Sequence, residues 1–292
     1  MKVGVTIPAY ELATGRARTF EEMVGDAVAA EDLGYDSVWV MDHLFLDRAG
    51  KRFLGGPEPL AFLSHVAART RRIELGTLVL CAPFRPPAQL AREARTLQAA
   101  SGGRFILGIG AGWHQPEFDA FGFPFDHLVS RFEDYVEVLT RLLGHGPADF
   151  EGHYQVLRRG EVYGDPAPLP WIAAGGPRML RLTGRLAGGW NGAWYGPDPS
   201  RFGERLGAVE AALRSASRER SELAASAGLL VLPGEEEQPA AIGGDPKQVA
   251  EAIRRYREAG CDHAILNFSL TPFGQGDPGL AGVLAPLLDG CR

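Results

Sequence analysis

Cysteine is scarce: the three in 292 residues, Cys81, Cys261 and Cys291, form no C-x-x-C pair, so neither a disulfide framework nor a zinc knuckle is indicated. A reducing cytoplasm is the expected setting. Long apolar runs are missing as well. No stretch reaches the roughly 18 residues of a membrane span, and the opening Met1-Lys2-Val3-Gly4-Val5-Thr6-Ile7-Pro8 is too soon interrupted to read as a signal peptide. There is no basic run either. Thirty Lys and Arg against 36 Asp and Glu give a formal charge of −6, without the electrostatic footprint of a nucleic-acid binder or a membrane-surface protein. The seven histidines show no H-E-x-x-H or other metal spacing, and no G-x-S-x-G elbow is present, so neither a metal nor a serine nucleophile is expected.

What is present has the balance of a globular enzyme-sized chain, with 45% hydrophobic and 23% charged residues. Eight short apolar or β-branched runs recur, near residues 3–7, 37–41, 73–80, 105–109, 170–174, 189–194, 227–232 and 263–268. They are continuous rather than alternating, as expected of parallel strands covered on both faces. Between them lie stretches with helical spacing: Phe20, Met23, Ala27 and Ala30; Val129, Phe132, Val136, Leu139 and Leu143; Val249, Ile253 and Tyr256. Glycines follow several of these, at Gly34, Gly102-Gly103, Gly188-Gly189 and Gly260, where a helix should stop in the left-handed conformation. The pattern predicts an α/β (β/α)8 barrel, a single domain over residues 1–292, with insertions after strand 4 (110–128) and before strand 5 (145–169). A doubly wound sheet is the runner-up.

In such a barrel reactive groups stand at the C-terminal ends of strands. Asp42-His43 follows the second strand, and His43 can exchange a proton or bond a substrate oxygen. Strand four runs into Gly108-Ile109-Gly110-Ala111-Gly112-Trp113. This is not the dinucleotide fingerprint, because the third glycine comes one residue early and the next good helix begins only near residue 129. Either the glycines let a flat ring approach the backbone, with Trp113 beside it, or they form a plain strand-end turn. Ala173-Ala174-Gly175-Gly176-Pro177-Arg178 is suited to a phosphate at a helix N-terminus with Arg178 as counter-charge, or to a tight turn alone. Asp245 reads as an N-cap. Asp42, Glu117 and Asp119 could face the same side, but their spacing fixes no glycosidase pair.

Several segments, in order along most of the chain, carry a resemblance: Gly34 to His43, Gly76-Thr77-Leu78-Val79, Leu107 to Trp113 with Glu117, Phe121 to Phe125 with Arg131-Phe132, Gly175-Gly176, Gly189-Trp190-Asn191 and Ala259 to His263. The sequence resembles the bacterial luciferase-like oxidoreductases, in particular their shorter branch that uses the deazaflavin F420. The resemblance implies a flavin-type ring across the barrel's C-terminal mouth and hydride transfer to or from a small-molecule substrate. It implies His43 as proton partner and Asp42 beside the ring. Thr77, Leu78 and Val79 would back the ring, with a non-prolyl cis peptide at Leu78–Val79. Gly110, Ala111, Gly112 and Trp113 would line it, and Ala174, Gly175, Gly176 and Pro177 would take the tail phosphate. F420-dependent sugar-phosphate dehydrogenases of this family carry a glutamate where this chain has Trp113, which argues against a sugar phosphate. Trp39, Phe84, Trp113 and Trp190 are available for an apolar pocket. The alternatives are an FMN-dependent monooxygenase, served by a flavin reductase, and a non-catalytic flavin-binding barrel. The resemblance also implies a homodimer.

Overall fold

All eight apolar runs are staves of a closed parallel barrel. The computed structural model describes residues 1–9, 18–48, 50–271, 273 and 276–291. The staves are β1 (Lys2–Thr6), β2 (Ser37–Val40), β3 (Glu74–Thr77, resuming at Leu80–Cys81), β4 (Phe105–Ile106 and Gly108–Gly110), β5 (Trp171–Ala173), β6 (Gly189–Tyr195), β7 (Ala224–Pro233) and β8 (His263–Asn267). Each pairs in parallel with the next. The two halves of β3 and β4 pair separately, Leu75 opposite Phe105 and Leu80 opposite Ile109. β8 lies between β7 and β1, with Ala264 opposite both Ala227 and Val3, so the ring closes. β2 and β8 are buried at every position, which is why the strands read as unbroken apolar runs.

The outer layer is helical: α1 (Phe20–Asp32), α2 (Pro59–Arg69), α3 (Pro87–Ala100), α4 (Gln115–Phe121), α5 (Leu128–Leu143), α6 (Pro177–Leu186), α7 (Ser200–Ser215) and α8 (Pro246–Glu258), followed by the short α9 (Leu280–Leu284) and α10 (Leu288–Cys291). Start signals are local. Thr19 and Glu22 form a capping box on α1, and Asp245 with Gln248 forms one on α8, where Pro246 occupies the first turn. The predicted stripes face inward, Met23, Ala27 and Ala30 on α1, Phe132, Val136, Leu139 and Leu143 on α5, and Val249, Ile253 and Tyr256 on α8. Phe20 is different: it is 38% exposed and meets Phe62 and His65 edge-on at the rim of α2.

Two further readings need correction. Gly34, Gly102, Gly103 and Gly260 have the expected positive φ, whereas Gly188 and Gly189 do not. α6 ends on an extended Ala187 instead. A Cβ on Gly189 would lie 2.3 Å from the Trp171 ring, so close packing rather than handedness requires glycine there. The insertions at 110–128 and 145–169 hold α4 and an antiparallel ribbon, Ala148–Glu151 with Val156–Gly160. A third excursion, the hairpin Phe45–Arg48 with Lys51–Leu54, follows β2 and was not among the expected insertions.

Inside the ring, Trp39 is fully buried with Leu78 and Ile265, and its indole crosses Gly4 and Gly76, where any Cβ would collide with it. It plugs the barrel, so the space for a ligand lies above it. No helix among the described residues is long and apolar enough to cross a membrane.

Candidate functional site at the C-terminal mouth

Above Trp39, at the ends of the staves where catalytic residues of barrels stand, is a cavity of about 420 Å³. It falls in the usual ligand-pocket range of roughly 300–1,000 Å³. Asp42, His43, Leu78, Val79, Gly110, Ala111, Gly112 and Trp113 all line it, together with Glu117, Phe118, Ala173, Asn191, Ala193 and Trp194. The peptide bonds Leu78–Val79 and Ala193–Trp194 are both cis; the resemblance implied the first and gave no sign of the second.

His43 is held from below. Its Nδ1 lies 2.9 Å from Glu117 Oε2, while Glu117 Oε1 accepts the backbone N–H groups of Leu44 at 2.6 Å and Phe45 at 3.3 Å. Glu117 is 1% exposed and comes from the start of α4. An ionised carboxylate only accepts, so Nδ1 carries the proton and Nε2 is left as the acceptor a substrate can use. The rings of Trp113 and Phe273 stand edge-on to the imidazole, at 5.5 and 5.0 Å.

Asp42 has a different occupation. Its carboxylate takes the Cys81 N–H at 2.9 Å and the Arg85 guanidinium at 2.5 and 3.2 Å, and Arg85 continues to Glu58 at 2.8 Å. The charge of Asp42 is thus balanced behind the cavity wall. Burial, reinforced by the nearby Asp42 and Glu117 carboxylates, pushes the Cys81 thiol far above its ordinary range. Cys81 is an apolar wall group, not a nucleophile. Asp119 is exposed and Glu117 is engaged by His43, so among the described residues no free carboxylate pair faces the cavity.

The glycines of strand four serve the wall more than a visitor. A Cβ on Gly110 would lie 2.9 Å from Val79, and one on Gly112, whose φ is +85°, 2.5 Å from Phe118 and 2.9 Å from Cys81. Thr77 stands behind the cavity, its hydroxyl donating to Gly108 O at 2.8 Å and accepting from Gly108 N at 2.9 Å. Of the four expected aromatics, only Trp113 faces the space, at 57% exposure; Trp39 and Trp190 are core, and Phe84 packs on Phe118 and Phe123. Trp194 and Phe273 line the cavity instead.

Ala174, Gly175, Gly176 and Pro177 form the turn from β5 into α6 and do not line the cavity, although Ala173 and Met179 on either side do. Ala174 O accepts the Trp190 indole N–H. Arg178 turns away to Glu133 and Ser130. The cation beside the turn is Arg205 of α7, whose Nη2 lies 3.6 Å from where a Gly175 Cβ would be. No carboxylate among the described residues pairs with Arg205. Sequence spacing carried no sign of this, because the two residues meet only through the fold.

The chain matches the model of the luciferase-like monooxygenase family over residues 1–241. Among curated proteins it is similar to an F420-dependent glucose-6-phosphate dehydrogenase of Amycolatopsis mediterranei, 37% identical over 177 residues that cover 58% of this chain and 52% of that one. The chain spans little more than half the length of the curated relatives it matches. Among solved structures it resembles an F420-dependent secondary alcohol dehydrogenase in complex with an F420–acetone adduct, with a TM-score of 0.81, 19% identity and coverage of 100% and 99% of the two chains. It also resembles the EDTA monooxygenase of Chelativorans sp. BNC1, with a TM-score of 0.82, 16% identity and coverage of 99% and 93%. At these identities the two structural likenesses are likenesses of fold.

Proposed function

Because the chain belongs to the luciferase-like monooxygenase family, we propose that its barrel mouth holds F420 and that it is an oxidoreductase moving a hydride between that deazaflavin and a small organic substrate. The observation that carries this reading is the His43–Glu117 pair set at the edge of a cavity that is otherwise largely apolar. The residues fit a flat ring: Leu78 and Val79 on one strand end and Gly110 to Gly112 on the next give it apolar walls. The N–H groups opening α6 at Gly175 and Gly176, with Arg205 alongside, suit the anionic tail.

The deazaflavin, when bound, supplies the two-electron chemistry. The chain supplies position and proton handling. Nε2 of His43 accepts the proton of a substrate hydroxyl during oxidation and returns it in the reverse direction, while Glu117 keeps the imidazole in that tautomer and orientation. Asp42 takes no part in the proton step. It fixes Arg85 and the start of the Cys81 segment, and with them the wall.

No residue lining the cavity among those described is Lys or Arg. A phosphate on the substrate would have no counter-charge there. The substrate is therefore an uncharged alcohol or carbonyl compound rather than the sugar phosphate named for the curated relatives. A cytoplasmic homodimer served by a cofactor reductase belongs to the same proposal and is supported by the family resemblance. Titrating the purified protein with F420 and, separately, with FMN is the test. Saturable F420 binding with an altered ring spectrum is expected. Tight FMN binding without F420 binding would make the protein an FMN-dependent monooxygenase, and binding of neither would end the cofactor reading.

A further inference from the structure

Trp113 follows the strand-four glycines, lines the cavity and is 57% exposed, although so large an apolar ring gains much by being covered. Its place is set by other rings. Phe273 lies nearly parallel to it, with 27° between the planes and 5.7 Å between centroids, while the imidazole of His43 stands edge-on at 5.5 Å and 74°. Phe273 also meets His43 edge-on, at 5.0 Å. One side of the indole is thus backed by Phe273, and the exposed remainder borders the cavity beside the reactive histidine. A lone exposed aromatic is ordinary on a convex surface, but one on the wall of a cavity is a surface that a ligand completes. The acidic groups of that wall do not compete for the ligand, since Asp42 is bound to Arg85 and Glu117 to His43.

We propose that Trp113 is a specificity-determining residue, the platform for an aromatic ring carried by the substrate, and that the substrate is an aryl-substituted secondary alcohol or ketone. This rests on the oxidoreductase reading given above and narrows it. A ring laid offset on the indole continues the Trp113–Phe273 stack. It then lies steeply to the imidazole plane, and because the indole is only 5.5 Å from that imidazole, the oxygen that Nε2 receives sits on the carbon joined directly to the ring. In the oxidative direction the O–H proton of that carbinol passes to Nε2, the hydride of its C–H passes to the deazaflavin, and the aryl ketone is left; reduction runs the same transfers backward. An aliphatic group of equal size gains contact area on the indole but not the preference of one π system for another.

The test uses protein loaded with oxidised F420, which has no hydride to give a ketone, so that binding is read without turnover. Wild type, Trp113→Leu and Trp113→Phe are titrated by calorimetry with acetophenone, cyclohexyl methyl ketone and acetone. Trp113→Leu keeps an apolar side chain without a π face. It should bind acetophenone about three- to tenfold more weakly, the worth of one aromatic pair, and cyclohexyl methyl ketone within about twofold of wild type. Trp113→Phe should recover most of the acetophenone affinity, and F420 affinity should stay within about twofold throughout. Equal acetophenone affinity in wild type and Trp113→Leu, an equal loss for the two ring ketones, or wild type holding acetone as tightly as acetophenone would overturn the assignment while leaving the cofactor reading in place. A fall in F420 affinity matching the fall for acetophenone would put the indole against the cofactor and overturn it as well. Failure of the wild type to bind F420 would overturn the reading beneath it.

Discussion

At the scale of the residue, the site depends on pairs far apart in the chain. His43 is legible in sequence as a polar group at a strand end, but the carboxylate that orients it is 74 positions away, and no spacing rule joins them. The same holds for Gly175 and Arg205, which meet only through the fold. His43→Ala should lower kcat by about 10²- to 10⁴-fold, the usual worth of a positioned acid–base group. F420 affinity should change little. Glu117→Gln keeps the shape but removes the anion beneath Nδ1 and weakens the bonds to Leu44 and Phe45 N–H; a kcat loss of about 10- to 100-fold is expected, the scale seen for outer partners that orient a histidine. Steady-state kinetics paired with F420 titration checks both, and a parent-like kcat in His43→Ala would remove it from the proton step.

At the scale of the element, strands and caps were readable because their causes are local. Continuous apolar runs mark strands buried on both faces, and Asp245-Pro246 with Gln248 writes the start of α8 in four residues. The hairpin of Phe45–Arg48 with Lys51–Leu54 was not readable: with Asp47, Lys51 and Arg52 exposed its apolar runs are only two or three residues long, and it is held by cross-strand pairing and by Arg52 over the Phe45 ring. Glycine was ambiguous for a related reason. It answers to φ at Gly34 and to crowding at Gly189, and the sequence writes both with one letter. At Gly112 the two demands coincide. Gly112→Ala would force a Cβ into Phe118 and Cys81 at a positive φ, so a destabilisation of about 2–4 kcal/mol is expected from overpacking and backbone strain together. Urea unfolding measures it, and a change below about 0.5 kcal/mol, the range of an ordinary surface substitution, would show that the wall yields freely.

At the scale of the whole molecule, the barrel's lower end carries a titration that acts on folding. His263 is fully enclosed, bonded through Nε2 to Ser37 at 2.7 Å and set edge-on between Trp39 and Trp171. Burial, assisted by the positive Lys2 and chain N-terminus, depresses its pKa from 6.5 to about 3. Between these values the unfolded chain holds the proton and the folded chain does not, so stability is full above about pH 6.5 and is lost as pH falls toward 3. The slope from one such group approaches about 1.4 kcal/mol per pH unit. His263→Gln, neutral throughout and able to bond Ser37, should flatten the fall in urea midpoint between pH 6 and 4. An equal fall in both proteins would assign acid sensitivity elsewhere.

The ring closure has one more consequence, for biosynthesis. β1 finds its second neighbour only in His263–Asn267, far along the chain. A nascent polypeptide stalled on the ribosome before that point presents two raw sheet edges, at Lys2–Thr6 and Ala224–Pro233, each able to recruit a stranger. The ribosome must therefore have passed Asn267 before the last gap between staves can seal.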